Sequence, residues 1–142
     1  MKVKIKRIDK ELPLPVYETE GSVGFDFICR KDVTVAPYQI ALIPANVIVE
    51  TPEGYALFIT PRSSTFRKYG LIIPNSPGII DQDYCGPEDE VQIQVYNLSS
   101  KPVRIKRGDR IAQGLFIRVG KARWSEVDTI ERETRGGFGS TD

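Results

Sequence analysis

The residues best suited to chemistry lie in segment 75–86, which reads NSPGIIDQDYCG. Asp81 and Asp83 follow an Ile-Ile pair and precede Tyr84. If this segment is a hairpin, with a turn through NSPG and a return strand through GIIDQDY, the two aspartates share one face, and Tyr84 lies opposite unless the chain bends there. One interpretation is an edge strand with solvated carboxylates. The other is that Asp81, partly shielded from water beside the isoleucines, acts as a general base.

The whole sequence contains no histidine. This excludes Ser-His-Asp and Cys-His catalysis and zinc sites with histidine ligands, so any acid or base must be Asp, Glu, Lys, Tyr or Cys. A metal, if the protein uses one, is expected to be a hard cation with oxygen ligands, most commonly Mg²⁺ beside a phosphate. Cys29 and Cys85 lack metal-type spacing and are interpreted as free thiols, with one disulfide as the alternative.

A second group of chemical interest is TPRSSTF, where Arg62, Ser63 and Ser64 follow a predicted strand and begin a short helical stretch. A guanidinium group, two hydroxyl groups and the free N–H groups of a helix start can together bind an anion. A serine at a helix start is also a common N-cap, and this interpretation stays open. The last segment, ERETRGGFGSTD, predicts either a frayed terminus or a flap whose glycine amides wrap phosphates.

The elements that must position these residues are mostly strands. Short apolar runs recur between turn residues, and the chain contains 10 Pro and 12 Gly. Run 90–97 (EVQIQVYN) alternates with the period of a half-buried strand, run 40–50 (IALIPANVIVE) is uninterrupted and β-rich, and only 63–70 looks helical. The pattern predicts an all-β sandwich, jelly roll or barrel over residues 1–130, followed by the flexible, Gly-rich flap 131–142.

Length and charge limit the function classes. A chain of 142 residues fits one domain with one core. Lys and Arg number 20 against 19 Asp and Glu, a net charge of +1, so the chain lacks the basic surface expected of a protein that binds a nucleic acid polymer. No apolar run approaches the ~20 residues of a membrane span, and the N-terminus lacks a signal-peptide pattern. We expect a cytoplasmic protein with no membrane partner.

Five segments carry a family resemblance: SVGFDF, PRSS, NSPGIIDQDYCG, GDRIAQGLF and RGGFGSTD, which occur in this order between Ser22 and Asp142. They resemble the five motifs of the trimeric dUTPases, the deoxyuridine triphosphate nucleotidohydrolases. The resemblance implies an all-β, distorted jelly-roll/β-sandwich barrel and a homotrimer with active sites shared between subunits. It also implies Mg²⁺-dependent hydrolysis of dUTP to dUMP and pyrophosphate.

The resemblance further implies roles for residues near the reacting atoms. Asp81 corresponds to the catalytic aspartate that deprotonates the water attacking the α-phosphate, and Tyr84 to the tyrosine that packs against deoxyribose. Asp26 corresponds to the aspartate near the water shell of the metal. The residues implied to form the uracil-reading hairpin are Asn75, Gly78 and Ile80.

Phosphate contacts and flap closure are implied for a second set of residues. The implied phosphate contacts are Arg62, Ser63, Ser64, Gln113 and Arg135, and Gln113 is also placed in the catalytic set. The implied flap residues are Gly137, Phe138, Gly139, Ser140 and Thr141, with Phe138 stacked on uracil. Because the tail lacks one glycine of the usual family pattern, Arg132 is the alternative to Arg135 for the γ-phosphate.

Two other functions are alternatives to this hydrolase. The dCTP deaminases, including bifunctional forms, share the fold and trimer, but they need a glutamate for proton relay where this chain has Gln94, and a neutral amide cannot serve as that base. A non-catalytic β-sandwich that binds nucleotides is the other alternative. The turn Pro87–Glu90 looks longer than is usual in the family and adds three carboxylates, for which the sequence suggests no role.

Overall fold

The structure is a computed structural model that describes residues 1–137. Within that range, eleven strands and one short helix alternate with turns. The elements are β1 (Lys4–Arg7), β2 (Phe25–Phe27), β3 (Val33–Val35), β4 (Ile40–Pro44), β5 (Val47–Glu50), β6 (Tyr55–Pro61), α1 (Thr65–Tyr69), β7 (Leu71–Ile72), β8 (Gly78–Ile80), β9 (Gln92–Asn97), β10 (Val103–Ile105) and β11 (Ala112–Arg118). The predicted all-β class with one short helix is confirmed, and none of the helices in residues 1–137 has the length and apolar character needed to cross a membrane.

The strands form four sheets in which every pair is antiparallel. The largest sheet has the order β2-β11-β6-β8, and a second sheet has the order β4-β9-β7. Two further pairs, β1-β5 and β10-β3, complete the strand pairing of residues 1–137, where no single closed barrel forms. Neighbours in the sheets are distant along the chain, as in folds built from Greek-key connections.

One apolar core joins these sheets. Strand β9 shows the predicted alternation, because Ile93 and Val95 are fully buried while Gln92 and Gln94 are only half-buried. Burying each such aliphatic side chain stabilises the fold by roughly 1.5–3 kcal/mol. The largest fully buried side chains are Phe27, Ile43, Leu57, Leu71, Ile93, Ile105 and Ile111.

Strand β11 contains a glycine where two aromatic rings leave no space for a side chain. A Cβ atom on Gly114 would lie 2.6 Å and 2.7 Å from ring atoms of Phe25 and 2.9 Å from Phe27. These rings pack edge to face with centroids 5.3 Å apart, so neither can retreat without disturbing the other. Gly114 therefore allows β2 and β11 to pair closely beside Gln113.

The run 40–50 is divided into two strands by a sharp corner at Asn46. Its φ angle is 66°, in the left-handed region that asparagine tolerates better than most residues. The Asn46 side chain exchanges two hydrogen bonds with the backbone of Asp9, at 2.7 Å and 3.0 Å. The uninterrupted run expected from the sequence is therefore a β4–β5 corner closed by side-chain hydrogen bonds.

The predicted hairpin strand GIIDQDY is shorter than expected. Strand β8 ends at Ile80, and the chain then turns so that the N–H of Tyr84 lies 3.4 Å from the carbonyl of Asp81. The alternation that placed Asp81 and Asp83 on one strand face therefore does not apply, because these residues lie in the turn. The expected shielding of Asp81 is also wrong for the single chain, where its side chain is exposed.

Candidate active site

One group of predicted site residues meets where β2, β6 and β11 lie side by side. Asp26 is the central residue of β2 and is directly opposite Gln113 in β11. Gln113 is in turn opposite Thr60 in β6, and Arg62 follows directly after β6. Strand pairing thus brings together three residues that are far apart in the sequence.

The centre of this group is a nearly buried carboxylate between two guanidinium groups. Asp26 is only 8% exposed. Its Oδ1 lies 2.8 Å from Nε of Arg62, and its Oδ2 lies 3.4 Å from Nη1 of Arg110. Arg62 also donates a 3.2 Å hydrogen bond to the carbonyl of Arg110. Arg110 also pairs with the exposed carboxylate of Glu18, so the two guanidinium groups face two carboxylates, and an incoming anion would compete with these carboxylates for the arginine donors.

Thr65 fixes the backbone of the loop that carries Arg62. Its hydroxyl donates a 2.7 Å hydrogen bond to the carbonyl of Ile111 and accepts one of 3.0 Å from the N–H of Arg62. Ser63 and Ser64 lie between these anchors, exposed and half-buried respectively. Ser64 occupies the N-cap position of α1, but its side chain makes no capping hydrogen bond, which leaves its hydroxyl available to a ligand.

Gln113 is held by close contacts on two sides. Its Nε2 donates a 3.1 Å hydrogen bond to the carbonyl of Pro61. A Cβ on Gly24 would lie 2.7 Å from its Oε1, so a side chain at that position would push the amide out of its present place. The amide group is therefore placed beside the loop of Arg62.

The predicted uracil-reading residues lie on the other side of β6. Gly78 is opposite Ile59, and a Cβ there would lie 3.3 Å from Cβ of Ile59 and 3.5 Å from Nδ2 of Asn75. Asn75 is exposed, and Ile79 is 58% exposed although it is large and apolar. The hairpin therefore presents the Asn75 amide and the apolar Ile79 side chain at the surface of the single chain.

Asp81 lies at the rim of a cavity of about 330 Å³. Between Asp81 and Asp83, the side chain of Gln82 donates a 3.0 Å hydrogen bond to the carbonyl of Tyr55, and its Oε1 accepts one of 3.4 Å from Lys121. The turn that carries Asp81 is thus fastened to β6 through Gln82. The residues that line the cavity are Tyr55, Ala56, Asp81, Gln82, Asp83, Val119 and Lys121.

Within one chain, Asp81 is not next to the arginine group. Gln113 is opposite Thr60 of β6, whereas Ile80, the residue before Asp81, is opposite Leu57. At about 3.3 Å per residue, Asp81 lies roughly 10–13 Å farther along the sheet, with β6 in between. The structure therefore brings together Asp26, Arg62 and Gln113 and keeps the predicted base apart from them.

The metal prediction can be tested against the donors that are present. Residues 1–137 contain no group of three or more His, Cys, Asp or Glu side chains that could hold a metal ion. Asp26 Oδ2 is buried and makes no hydrogen bond within the same range. One such carboxylate oxygen suits contact with a water of a hydrated Mg²⁺ rather than a protein cage, because Mg²⁺ keeps several waters and favours phosphate oxygens.

Several residues that shape this site were not predicted from the sequence. They are Thr65, Gln82 and Arg110, and the pair Arg30 and Glu90. Arg110 lies in the motif GDRIAQ, three residues before Gln113, and that closeness was the available signal. The others act through contacts with residues that are distant in sequence, such as the contact between the Arg30 and Glu90 side chains. The predicted residues Phe138, Gly139, Ser140 and Thr141 lie outside the described residues, and Arg132, Arg135 and Gly137 are exposed.

A family model described as dUTPase matches residues 10–142 of the chain. The chain belongs to the dUTPase family. It is accordingly an enzyme of the dUTP diphosphatase class, and the resemblance inferred from the five motifs is confirmed.

Two relatives named deoxyuridine 5'-triphosphate nucleotidohydrolase illustrate the similarity. The one from Thermobifida fusca is 40% identical over 144 residues, which covers 99% of this chain and 79% of that dUTPase. The one from Dictyoglomus turgidum is 40% identical over 147 residues and covers 99% of this chain and 98% of the relative. The similarity thus extends over nearly the whole chain.

The fold is also that of a solved dUTPase. The dUTPase of Staphylococcus bacteriophage 80alpha, solved with dUPNHPP, matches with a TM-score of 0.87 at 24% identity. The match covers 99% of this chain and 98% of the phage chain. The predicted jelly-roll class is therefore confirmed, with the strands arranged as four sheets in residues 1–137.

Proposed function

We propose that this dUTPase hydrolyses dUTP by attack of water on the α-phosphate, with Asp81 as the general base. Asp81 is exposed, and its turn is fastened to β6 through Gln82. The absence of histidine from the sequence leaves a carboxylate as the natural base near neutral pH. The observation that carries the proposal is the group of Asp26, Arg62 and Gln113, which is built to receive an anion in a chain of the dUTPase family.

The phosphate chain is proposed to bind at the arginine group. Arg62 would donate to phosphate oxygens through its guanidinium, while Ser63, Ser64 and Gln113 would supply neutral donors. In phosphoryl transfer, positioning and charge neutralisation contribute most of the catalysis, so such a donor set is sufficient without a covalent step. Arg135 from the tail is proposed to contact the γ-phosphate.

Uracil and deoxyribose are proposed to bind at the hairpin. Uracil presents one N–H between two carbonyls, and the backbone of Gly78 and Ile80, with the Asn75 amide, can supply groups of matching polarity. Cytosine reverses that pattern at two positions, so it would leave buried polar groups unpaired. Tyr84 would pack against the sugar and exclude a 2'-hydroxyl.

Residues 131–142 are proposed to close over the bound nucleotide as a flap. Phe138 would stack on uracil, and the backbone of Gly139 with the hydroxyl of Ser140 would cover the phosphates. Closure would exclude water and strengthen the polar contacts inside. Removal of residues 135–142 should leave the oligomer intact and lower kcat sharply, whereas full activity of the shortened chain would refute the flap.

Mg²⁺ is the proposed cofactor. The described donors suit an ion held mainly by the triphosphate, with Asp26 contacting its water shell. When bound, Mg²⁺ would neutralise negative charge on the phosphate oxygens. The role of Asp26 in this arrangement is to accept hydrogen bonds and to hold Arg62 and Arg110 in place.

A homotrimer with shared active sites is proposed as the working form. Its support is the separation of Asp81 from the arginine group within one chain, together with the exposed apolar hairpin residue Ile79. A neighbouring subunit that contributes its arginine group to this hairpin would complete the site. The molar mass in solution, measured by light scattering, tests the assembly, and a monomer would contradict it.

The base is tested by a matched pair of variants in the same turn. Asp81→Asn should bind a non-hydrolysable dUTP analogue normally and lose about 10²–10⁴-fold in kcat, because the amide keeps the shape but not the base. Asp83→Asn, two residues away, should retain turnover. Release of pyrophosphate from dUTP is the readout, and ammonia release from dCTP would instead indicate a deaminase. Equal losses in both variants would contradict the assignment.

A further inference from the structure

The turn Pro87–Glu90, for which the sequence suggested no role, contains a buried carboxylate. Glu90 is 7% exposed. Its two carboxylate oxygens accept hydrogen bonds of 2.7 Å each from Nε and Nη2 of Arg30. Its Oε1 also accepts a 2.9 Å hydrogen bond from the N–H of Asn46 at the β4–β5 corner. The Glu90 side chain thus faces Arg30 and the β4–β5 corner.

A partly buried ion pair of this kind fixes geometry more than it adds stability. The cost of removing both charges from water largely offsets their attraction, whereas removal of one partner leaves the other uncompensated. Arg30 is itself anchored, because its N–H donates a 2.8 Å hydrogen bond to the carbonyl of Pro44. The hydrogen bond to Glu90 raises the pKa of Arg30, so the guanidinium stays charged. The pair therefore locks Glu90 to a rigid corner of the fold.

The same residue holds the proposed sugar-binding tyrosine. The hydroxyl of Tyr84 donates a 3.2 Å hydrogen bond to the backbone carbonyl of Glu90. The intervening turn is closed by a 2.7 Å hydrogen bond from the N–H of Gly86 to Oδ2 of Asp89. A Cβ on Gly86 would lie 2.9 Å from that oxygen, so the turn is tightly packed. The Tyr84 hydroxyl is thereby anchored to the far end of a short turn that is itself closed by a hydrogen bond.

We infer that the Arg30–Glu90 ion pair is a positioning device that holds the Tyr84 ring and so sets the preference of the enzyme for deoxyribose over ribose. The inference rests on the proposed function, in which Tyr84 packs against the sugar. A ring that is fixed through its hydroxyl cannot move aside for a 2'-hydroxyl. A ring released from Glu90 can move, so ribonucleotides should be accepted more readily.

The test compares kcat/KM for dUTP with kcat/KM for UTP. Tyr84→Phe removes only the hydrogen bond to Glu90, and Arg30→Met removes the ion pair while it keeps a long side chain. Each variant should lower the dUTP/UTP ratio by about three- to tenfold, the effect of one hydrogen bond. Because both act through one tether, the double variant should show the same ratio as Tyr84→Phe alone.

Arg104→Met is the matched control, since it breaks a 2.8 Å ion pair with Asp32 at an exposed position. This variant should leave the dUTP/UTP ratio unchanged, because a loss of stability alone does not alter the choice between two substrates. An unchanged ratio in Tyr84→Phe, or additive effects in the double variant, would overturn the inference. Should Arg30→Met fail to fold, the Tyr84→Phe and Arg30→Lys variants still test the inference. A lysine amine cannot replace the paired hydrogen bonds that the Arg30 guanidinium donates to Glu90.

Tyr84→Ala separates this inference from the proposed function. If removal of the whole ring leaves the dUTP/UTP ratio unchanged, Tyr84 does not contact the sugar, and the proposed function fails at that point. If Tyr84→Ala lowers the ratio while Tyr84→Phe and Arg30→Met do not, the sugar contact stands and only the tether is refuted.

Discussion

Nε of Arg62 lies 2.8 Å from Oδ1 of Asp26, so the proposed phosphate-binding arginine is already paired with a carboxylate in the chain alone. Arg110 approaches the other oxygen of the same carboxylate at 3.4 Å. In the proposed function, Asp26 therefore has two opposing effects on an incoming triphosphate. It holds the guanidinium groups in position, and it competes with the phosphates for their charge.

The first prediction concerns this competition. Asp26→Asn keeps the shape of the side chain but removes its charge, so the arginine group should bind pyrophosphate without Mg²⁺ about tenfold more tightly. Calorimetric titration gives the dissociation constant. Asp32→Asn, which removes an exposed carboxylate paired with Arg104, is the control and should have little effect. Weaker binding in Asp26→Asn would show that orientation of the arginines outweighs competition.

The second prediction uses the separation of Asp81 from Arg62 within one chain. Asp81→Asn and Arg62→Ala subunits should each form inactive trimers. In a cyclic trimer that takes the base from one subunit and the arginine from the next, random mixed assembly should restore about a quarter of wild-type activity. The measurement is dUTP hydrolysis after joint refolding of equal amounts. A mixture that stays inactive would indicate that both residues serve the same chain's site.

The fold class could be predicted because it follows from local patterns. The alternation around Ile93 and Val95 specifies a strand with one buried face, and the structure has that strand. The helical stretch also matches, since α1 ends at Tyr69 and is capped by Gly70, which has a φ angle of 65°. Short-range chemistry is enough to determine such elements.

The site was less predictable because its geometry depends on partners distant in sequence. Asn46 divides an apparently continuous run because its N–H is held by Glu90, which is 44 residues away. The strand through Gly78 ends early because Gln82 fastens the following turn to Tyr55. No periodicity in either segment encodes these contacts, and the place of Asp81 relative to Arg62 depends on pairing across β6.

The third prediction concerns Thr65, which links the Arg62 loop to β11. Thr65→Val removes the hydroxyl that donates to Ile111 and accepts from Arg62, so a buried carbonyl and N–H lose their partner. The free energy of unfolding should fall by about 2–4 kcal/mol, and KM for dUTP should rise as the loop loosens. Denaturant unfolding and steady-state kinetics measure the two effects. Thr65→Ser keeps the hydroxyl, so its free energy of unfolding and its KM for dUTP should both be close to the wild-type values. If they are not, the methyl group of Thr65 is the part that stabilises the loop.

The fourth prediction concerns the space beside Gly114. Gly114→Ala would place a methyl group 2.6 Å from the Phe25 ring, which must then shift against Phe27. Such overpacking should lower the free energy of unfolding by roughly 1–3 kcal/mol and disturb the pairing of Asp26 with Gln113. Gly120→Ala is the control, because nothing lies within 4 Å of the added Cβ. Equal stability of the two variants in urea would contradict the packing explanation.

The fifth prediction concerns the pH dependence that arises from Cys29. Burial, together with the nearby Asp109 carboxylate, raises the pKa of this thiol from its ordinary value of 9.0 to about 12. A raised pKa in the folded state means that the stabilising contribution is complete below pH 9 and is lost as the pH rises toward 12, because the unfolded chain releases its proton first. Above pH 9, the free energy of unfolding should fall by up to about 1.4 kcal/mol per pH unit more in the wild type than in Cys29→Ala.

Thermal unfolding measured from pH 8 to pH 11 checks this difference between the two proteins, with Cys85→Ala as the control for a half-buried thiol. Parallel curves for the wild type and Cys29→Ala would show that the thiol does not titrate differently in the two states.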